Sequence, residues 1–422
     1  MELEKEESGI SFWPRRFSDH NNNINTDDVV SNYKNNEKKI KQNLDLNLDP
    51  QNCFQVREIP GKGLGCVATR GIEPGELVVQ DYPILTLEHD YKFKEWLAQG
   101  KSVQQRDRLL ILHVILPLLL ILPIVYLLPQ IGFLFLLLWR HILDHVRNII
   151  SLLGFEKSCE DLYQSYLSLD WSGREKIEHL ATVFPSPGLK ERIVGIFCTN
   201  SFIIQENVSG VFPNLSRFNH SCRSNCSFTG EEENGIFVIR VNCVLRVEKD
   251  EELTLCYLDT LEEEAPCLAQ ERRTYLNWAY RFECKCEECS LPSYLRNIED
   301  RRRVRLSKLR REWRTSCNLE KDWTNIQEQI MLLIRLKSCG KVEHLVSTLE
   351  LAWETLAELN GVPGARFKVK VAELGVDWSR ILYSDQHPVS QEWQGRYKAV
   401  RKPDIDQLRE KGVKKKTCNR KR

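Results

Sequence analysis

Two cysteine-containing segments of this chain carry residue types that bind metal ions. The first, residues 217–226, reads RFNHSCRSNC, and the second contains Cys284, Cys286 and Cys289. A closed structural zinc site uses four ligands in a tetrahedron, so the second segment is one thiolate short. Cys222 can supply the missing ligand, and Cys226 ranks below it as an alternative. The sequence therefore predicts one structural zinc ion, bound by the thiolates of Cys222, Cys284, Cys286 and Cys289.

Two further segments have patterns suited to binding a ligand beside that metal site. Residues 60–65 read PGKGLG, which places three glycines between two β-like runs. Glycines let the backbone approach a ligand closely, although a plain hairpin turn would have the same composition. Residues 252–257 read ELTLCY, a short apolar strand that ends in a tyrosine. The predicted zinc ion would also place Phe282 over whatever the segment 219–220 binds.

Together these segments resemble the SET-domain protein lysine methyltransferases of the SET-and-MYND (SMYD-like) type, over about residues 54–292. The resemblance implies an α+β fold, in which a SET domain of short β-sheets has a pseudoknot and a post-SET zinc loop. An all-α helical-array domain would follow it. The implied function is S-adenosylmethionine-dependent methylation of lysine side chains in histone or non-histone proteins. The alternative is a catalytically silent SET scaffold that binds protein partners, for example in transcription regulation.

The resemblance assigns catalysis to Tyr257, whose hydroxyl would orient the lysine amine. The same tyrosine could instead be a packed aromatic residue with a satisfied hydroxyl. Two residues that the resemblance assigns to cofactor binding also have ordinary interpretations. Asn200 could be an asparagine at a helix end, and Phe282 could be core packing. The resemblance assigns binding of S-adenosylmethionine to Lys62, Gly63, Leu64, Asn200, Asn219, His220, Tyr257 and Phe282.

The chain departs from the family pattern at several positions. No cysteine occurs between Cys66 and Cys159, so we expect no MYND zinc module. Ser224 replaces the usual proline before Asn225, and Asp250 stands at a turn where glycine is common. We expect Asp250 to distort that turn slightly without abolishing cofactor binding. The missing zinc module favours the scaffold alternative, whereas the retained motif residues favour the enzyme.

Charge and cysteine usage restrict the compartment and the partners. The 422 residues carry a formal net charge of +1, which gives no overall attraction to nucleic acid or to a membrane. The chain has 15 cysteines and begins with MELEKEE, which lacks an apolar signal core, so we expect a reducing compartment. We therefore expect a cytoplasmic or nuclear monomer that acts on a protein substrate containing a target lysine. Direct nucleic-acid binding is not expected.

Composition divides the chain into four parts. Residues 1–50 are polar and rich in asparagine, which predicts a disordered arm. Residues 51–292 hold the SET and post-SET motifs, and residues 293–405 show apolar residues at helical spacing. The sequence GVPG at 361–364 predicts a helix stop. Residues 406–422 form a basic tail, which is either a nuclear import signal or a solvated end.

The predicted C-terminal helices are 300–316, 322–338, 341–360 and 366–383.

An apolar insert at about 109–153 interrupts the catalytic region. Its residues 109–138 are long and apolar enough to cross a bilayer on length alone. A single crossing would put the glycine-rich segment and Asn219 on opposite sides of the membrane. Three prolines would also break a continuous helix. An interfacial or re-entrant hairpin, a packed helical pair and a mistranslated stretch remain open, and membrane association is not favoured.

Overall fold

The chain divides into two compact units. A computed structural model describes residues 53–88, 156–184, 186–205, 207–233, 235–258, 267–314, 319–337, 342–358 and 362–401. One unit holds the described residues of Pro83–Ser216, and the other holds those of Asn36–Tyr82 and Arg217–Arg422. Each unit is described by itself below. The predicted arm, the apolar insert and the basic tail lie outside the described residues, so those three expectations stay predictions.

Short strands and longer helices make up the regular structure. The strands are β1 (Phe54–Ile59), β2 (Gly63–Ala68), β3 (Leu77–Asp81), β4 (Leu85–Glu88), β5 (Ser201–Gln205), β6 (Val208–Val211), β7 (Asn219–His220), β8 (Cys226–Glu233), β9 (Ile236–Cys243) and β10 (Glu252–Leu255). The helices are α1 (156–167), α2 (Trp171–Glu178), α3 (Leu189–Asn200), α4 (Ala269–Tyr280), α5 (Ser293–Arg314), α6 (Leu319–Arg335), α7 (Glu343–Glu358), α8 (Val362–Tyr383) and α9 (388–401).

The unit Pro83–Ser216 combines helices α1 to α3 with one antiparallel sheet of order β4-β6-β5. Gly210 in β6 has no room for a side chain, because a Cβ atom there would lie 2.9 Å from Cβ of Pro83. Helix α3 buries Ile193, Ile196 and Phe197. These apolar contacts fix the end of α3, where Asn200 lies.

The other unit contains two sheets, of order β1-β2-β10-β7 and β3-β9-β8. Strands β8 and β9 form a long antiparallel hairpin whose register runs from Cys226 opposite Cys243 to Glu233 opposite Ile236. Gly235 in the connecting turn has φ of 78°, a conformation that glycine adopts without strain. All residues of β9 except Arg240 are buried, which is the pattern of a central strand covered on both faces.

Strand β10 has an unusual place in the first sheet. It pairs antiparallel with β2 on one side and parallel with β7 on the other. Leu253, Thr254 and Leu255 are buried, as expected for a central strand. Asn225 also holds β10 in place through two hydrogen bonds. Its Oδ1 accepts the N–H of Thr254 at 2.8 Å, and its Nδ2 donates to the carbonyl of Glu252 at 2.8 Å. The motif asparagine Asn225 therefore has a structural role.

The C-terminal residues form a helical array, as the sequence predicted. Successive helices from α5 to α8 pack on one another around a shared apolar core. Trp393 of α9 is fully buried in that core, against Gly375 of α8. The predicted apolar positions that the array buries include Ile326, Ile330, Leu333, Leu345, Leu349 and Leu356.

Some predicted details of the helical array are wrong. Ile334 is exposed, because it lies at the edge of the apolar stripe of α6. Helix α5 begins at Ser293, directly after Pro292, instead of at residue 300. Helix α7 ends at Glu358, before the predicted stop at 361–364, and α8 begins at Val362 instead of residue 366. Pro363 is tolerated there because the first turn of a helix needs no internal N–H donor.

Within the described part of the chain, no helix is long and apolar enough to cross a membrane. Residues 109–138 lie outside that part, so the prediction that they do not span a bilayer remains open to experiment. The pseudoknot also stays a prediction.

In the turn before β10, Asp250 adopts a left-handed conformation with φ of 68°. Aspartate tolerates this conformation, whereas β-branched residues do not. Replacing Asp250 with valine should therefore lower the free energy of unfolding by about 1–2 kcal/mol. Asp250→Asn should change it by less than about 0.5 kcal/mol, because the lost ion pair with Arg57 is exposed. Urea denaturation measures both values, and equal effects of the two substitutions would contradict the assignment.

Candidate functional site

Four cysteines lie together at the end of β10. Cys222 follows β7, and Cys284, Cys286 and Cys289 follow α4. Their sulfur atoms all lie within 4.8 Å of one another, and Sγ of Cys222 lies 4.0 Å from that of Cys284 and 3.6 Å from that of Cys289. A tetrahedral zinc site with bonds of about 2.3 Å needs sulfur atoms about 3.8 Å apart. The four predicted thiols therefore fit one zinc ion.

Cys226, the alternative ligand, is not part of this cluster. It begins β8, where it pairs with Cys243 of β9. The choice of Cys222 over Cys226 therefore agrees with the geometry of the described residues.

Buried charges surround the cysteine cluster. Glu288, between two of the cysteines, accepts hydrogen bonds from Arg272 of α4 at 3.0 Å and from Arg303 of α5 at 2.8 and 2.7 Å. Arg303 also donates to the carbonyl of Cys222 at 3.1 Å. Glu288, Arg272 and Arg303 are almost completely buried. The network ties the cysteine loop to two helices.

His220 connects β7 to both the cysteines and Tyr257. Its Nδ1 accepts the backbone N–H of Tyr257 at 3.0 Å, and its Nε2 lies 3.4 Å from Sγ of Cys222. Because Nδ1 is an acceptor, the proton of the neutral ring is on Nε2 and points to the sulfur. Burial lowers the pKa of His220 to about 3, so the ring is neutral at physiological pH.

Aromatic rings gather beside this histidine. The ring of Tyr257 has its centroid 5.0 Å from that of Tyr280, 5.3 Å from that of His220 and 6.5 Å from that of Phe282. Phe282 lies 6.1 Å from His220 and packs against the cysteine cluster. The predicted proximity of Phe282 to the 219–220 segment is therefore present. Aromatic faces of this kind attract cations such as a sulfonium or an ammonium.

The hydroxyl of Tyr257 has a fixed direction. It donates a hydrogen bond of 2.6 Å to the carbonyl of Phe218. Burial raises the pKa of this hydroxyl well above its ordinary value, so it keeps its proton. Its oxygen lone pairs are thus oriented by a backbone group, which leaves them available to a ligand.

The glycine-rich segment lies beside β7. Gly61 and Gly63 have positive φ angles of 75° and 76°, and Leu64 is exposed. A Cβ atom at Gly65 would lie 2.5 Å from Nδ2 of Asn219, so glycine is required for the close approach of the two segments. Lys62 forms an ion pair with Glu252 of β10.

One unit therefore brings most of the predicted site residues together around β10. Asn200 belongs to the unit Pro83–Ser216 instead, where its Nδ2 donates to the carbonyls of Ala181 at 2.7 Å and Ile196 at 2.8 Å. These contacts are those of an asparagine at a helix end, and its assignment to cofactor binding stays a prediction. The residues brought together are Lys62, Gly63, Leu64, Asn219, His220, Tyr257, Phe282, Cys222, Cys284, Cys286 and Cys289.

Sequence reasoning missed two residues of this group, Glu252 and Tyr280. Glu252 occupies the first position of β10. From the sequence alone, this strand is of interest only because Tyr257 follows its end. Tyr280 ends α4 two residues before Phe282, and the spacing YRF was a signal for a second aromatic wall.

Replacing Glu288 tests the buried charge network. Glu288→Gln should lower the free energy of unfolding by about 3–5 kcal/mol, because Arg272 and Arg303 lose their buried counter-charge. Glu287→Gln changes the neighbouring exposed residue and should have little effect. Guanidinium denaturation with a fluorescence signal gives both values. An equal, small effect of both substitutions would show that Glu288 does not stabilise the fold.

Comparisons with known proteins agree with this arrangement. Residues 63–258 match the family model described as SET domain. The histone-lysine N-methyltransferase SMYD3 of Mus musculus is 31% identical over 197 residues, which are 46% of this chain and 40% of the relative. SMYD3 of Homo sapiens is 30% identical over the same shares of both chains. The histone-lysine N-methyltransferase ASHR1 of Arabidopsis thaliana is 32% identical over 81 residues, 19% of this chain and 15% of the relative.

A solved structure of the SET domain of LSMT bound to lysine and AdoHcy aligns with 90% of this chain and 92% of that chain. Its TM-score is 0.28 at 12% identity. The chain spans less than half the length of the curated relatives given above. The family match rests on residues 63–258 and on relatives of the SMYD type. Residues 63–258 match the SET domain, and the described residues combine short β-sheets with a helical C-terminal region. Over 46% of its length the chain is similar to relatives of the SMYD type.

Proposed function

We propose that this chain transfers methyl groups from S-adenosylmethionine to lysine side chains of proteins. The observation that carries the proposal is the oriented hydroxyl of Tyr257, which lies among the rings of Tyr280, Phe282 and His220. The names of the relatives, histone-lysine N-methyltransferases, support the same reaction. Incubation of the purified chain with labelled S-adenosylmethionine and a lysine-containing peptide array tests it.

Methyl transfer of this kind is an in-line displacement. The lone pair of the neutral lysine amine attacks the methyl carbon, while the carbon–sulfur bond breaks and its electron pair stays on sulfur. S-adenosylhomocysteine is the second product, and the methylated ammonium releases a proton to water. The reaction needs positioning and an uncharged amine. Desolvation between aromatic rings lowers the pKa of the lysine and so raises the neutral fraction.

In this proposal each site residue has a separate task. The Tyr257 oxygen orients the amine, and Phe282 lies on the adenine ring. Asn219, His220 and the backbone around Gly63 bind the polar groups of the cofactor. Lys62, Leu64 and Asn200 are assigned to the same cofactor on the family resemblance.

The four-cysteine cluster would hold one zinc ion, whose chemistry is that of a structural cross-link between the segment after β7 and the segment after α4. Cys222, Cys284, Cys286 and Cys289 would bind as thiolates. Arg272 and Arg303 lie close enough to offset part of the resulting negative charge. Through this cross-link Phe282 would keep its place beside His220.

Removal of zinc tests the role of the cysteine cluster. Protein purified without chelator should contain about one zinc ion per chain by elemental analysis. The Cys284→Ser/Cys289→Ser variant should lose it, because structural zinc contributes on the order of 10 kcal/mol to small metal-stabilised elements. Its affinity for S-adenosylhomocysteine should fall with the displaced Phe282. The matched control is Cys226→Ser/Cys243→Ser, which should retain the metal. Undiminished affinity in zinc-free protein would contradict the proposed cross-link.

Replacing Tyr257 with phenylalanine tests catalysis, since only the hydroxyl is deleted. The turnover number should fall by roughly tenfold to a thousandfold, the scale for one oriented polar group in a transition state. Affinity for S-adenosylhomocysteine should change little. Tyr294→Phe alters an exposed tyrosine of α5 and should leave both unchanged. Unaltered turnover in Tyr257→Phe would show that the residue is only packing.

The substrate is proposed to be a protein with an accessible lysine, histone or non-histone, and the chain to act as a monomer in the cytoplasm or nucleus without direct nucleic-acid binding. Binding of S-adenosylhomocysteine without methylation of any peptide or extract protein would favour the scaffold alternative.

A further inference from the structure

Glu252 joins two predicted cofactor-binding residues that come from different segments, Lys62 of the β1–β2 turn and Asn219 of β7. Its Oε1 accepts a hydrogen bond of 3.0 Å from Nδ2 of Asn219, and its Oε2 accepts one from Nζ of Lys62. The side chain of Glu252 is 18% exposed, whereas that of Lys62 is 40% exposed. A largely buried carboxylate thus holds an amide and a cation at the edge of the site.

The amide of Asn219 is thereby held in one orientation. Besides Glu252, its Nδ2 donates to the carbonyl of Leu64 at 3.3 Å. Both N–H groups of the amide therefore have acceptors on β2 and β10. Among the described residues, Oδ1 of Asn219 makes no hydrogen bond, so the side chain offers an acceptor to a ligand.

The backbone is shaped to allow this contact. A side chain at Gly65 would collide with Nδ2 of Asn219, as described above. Strand β10 lies between β2 and β7, so its first residue can reach both neighbours. The amide of Asn219 and the carboxylate of Glu252 are consequently placed by strand pairing, and Lys62 lies in the tight turn that joins β1 to β2.

We propose that Glu252 is a positioning residue for cofactor recognition. It directs Oδ1 of Asn219 outward and holds Lys62 beside it, so that the pair binds the amino-acid end of S-adenosylmethionine. This inference rests on the proposed function. It adds that Asn219 and Lys62, held by Glu252, recognise the amino-acid end of the cofactor.

The chemistry of the cofactor decides which end is recognised. The amino-acid end carries an ammonium, which needs acceptors, and a carboxylate, which needs a cation. The adenosine end has no ionised group. Oδ1 of Asn219 suits the ammonium, and the free N–H groups of Lys62 suit the carboxylate. Without Glu252 the amide of Asn219 can turn its N–H groups outward, where they would face the ammonium.

Two ligands separate this role from a general structural one. S-adenosylhomocysteine has the amino-acid end, and 5′-methylthioadenosine lacks it. Calorimetric titration of the full chain should show that Glu252→Ala weakens S-adenosylhomocysteine binding by about tenfold to a hundredfold, the value expected for lost hydrogen bonds to a charged group. Binding of 5′-methylthioadenosine should change by less than about twofold. Glu252→Gln should give an intermediate loss, because its amide oxygen still accepts from Asn219 but no longer attracts Lys62.

The matched control is Glu251→Gln, which makes the same chemical change as Glu252→Gln at the preceding residue. The side chain of Glu251 is exposed and accepts the backbone N–H of Glu248 at 3.0 Å. This variant should bind both ligands as the unaltered chain does. In an Asn219→Ala background, Glu252→Ala should add less than about threefold further loss, since the two residues act as a unit.

Equal weakening of both ligands by Glu252→Ala, or no weakening of either, would overturn the proposal. The proposal would also be overturned if Glu252→Ala weakened S-adenosylhomocysteine binding as strongly in the Asn219→Ala background as in the unaltered chain. A thermal unfolding midpoint and a zinc content that match the unaltered chain show that the variant is folded. If the unaltered chain binds neither ligand, the proposed function itself fails, and this inference fails with it.

Discussion

The arrangement of the site depends on the position of β10 between β2 and β7. These three strands are far apart in sequence, and their pairing brings the glycine-rich segment, Asn219 and the end of β10 together. The parallel pairing with β7 aligns Thr254 with Asn219 and Leu255 with His220. Tyr257 then follows directly beside the ring of His220. A one-residue shift in this register would turn the alternating side chains to opposite faces and disperse the group.

The cysteine cluster closes the other side of the same group. Cys222 follows His220 by two residues, so a zinc ion that bridges its sulfur to the later cysteines would also limit where Phe282 can lie. The neutral His220 ring makes contacts in both directions, to the backbone of Tyr257 and to Cys222. The metal-ligating residues and the aromatic residues therefore share one hydrogen-bonded framework. A change at either end is expected to alter the other through His220.

The sequence was informative where residue identity alone restricts the chemistry. Cysteine spacing predicted the four-thiol cluster, and the end of an apolar strand predicted the place of Tyr257. The contacts of Glu252 could not be predicted in this way. Its partners Asn219 and Lys62 are 33 and 190 residues away, and only the strand order makes them neighbours.

The helical array and the β-sheets also depend on each other within their unit. Arg303 of α5 reaches the carbonyl of Cys222, and Glu343 of α7 accepts a hydrogen bond of 2.9 Å from Ser227 of β8. Val244, beyond β9, packs with Val346 of α7 and Leu382 of α8. A zinc ion bound by four thiolates would carry a net negative charge together with its ligands. Buried cations nearby would reduce the free-energy cost of burying that charge. Because one of those cations comes from α5, the first C-terminal helix stabilises the cysteine loop directly, and the loop in turn fixes Phe282 beside the site.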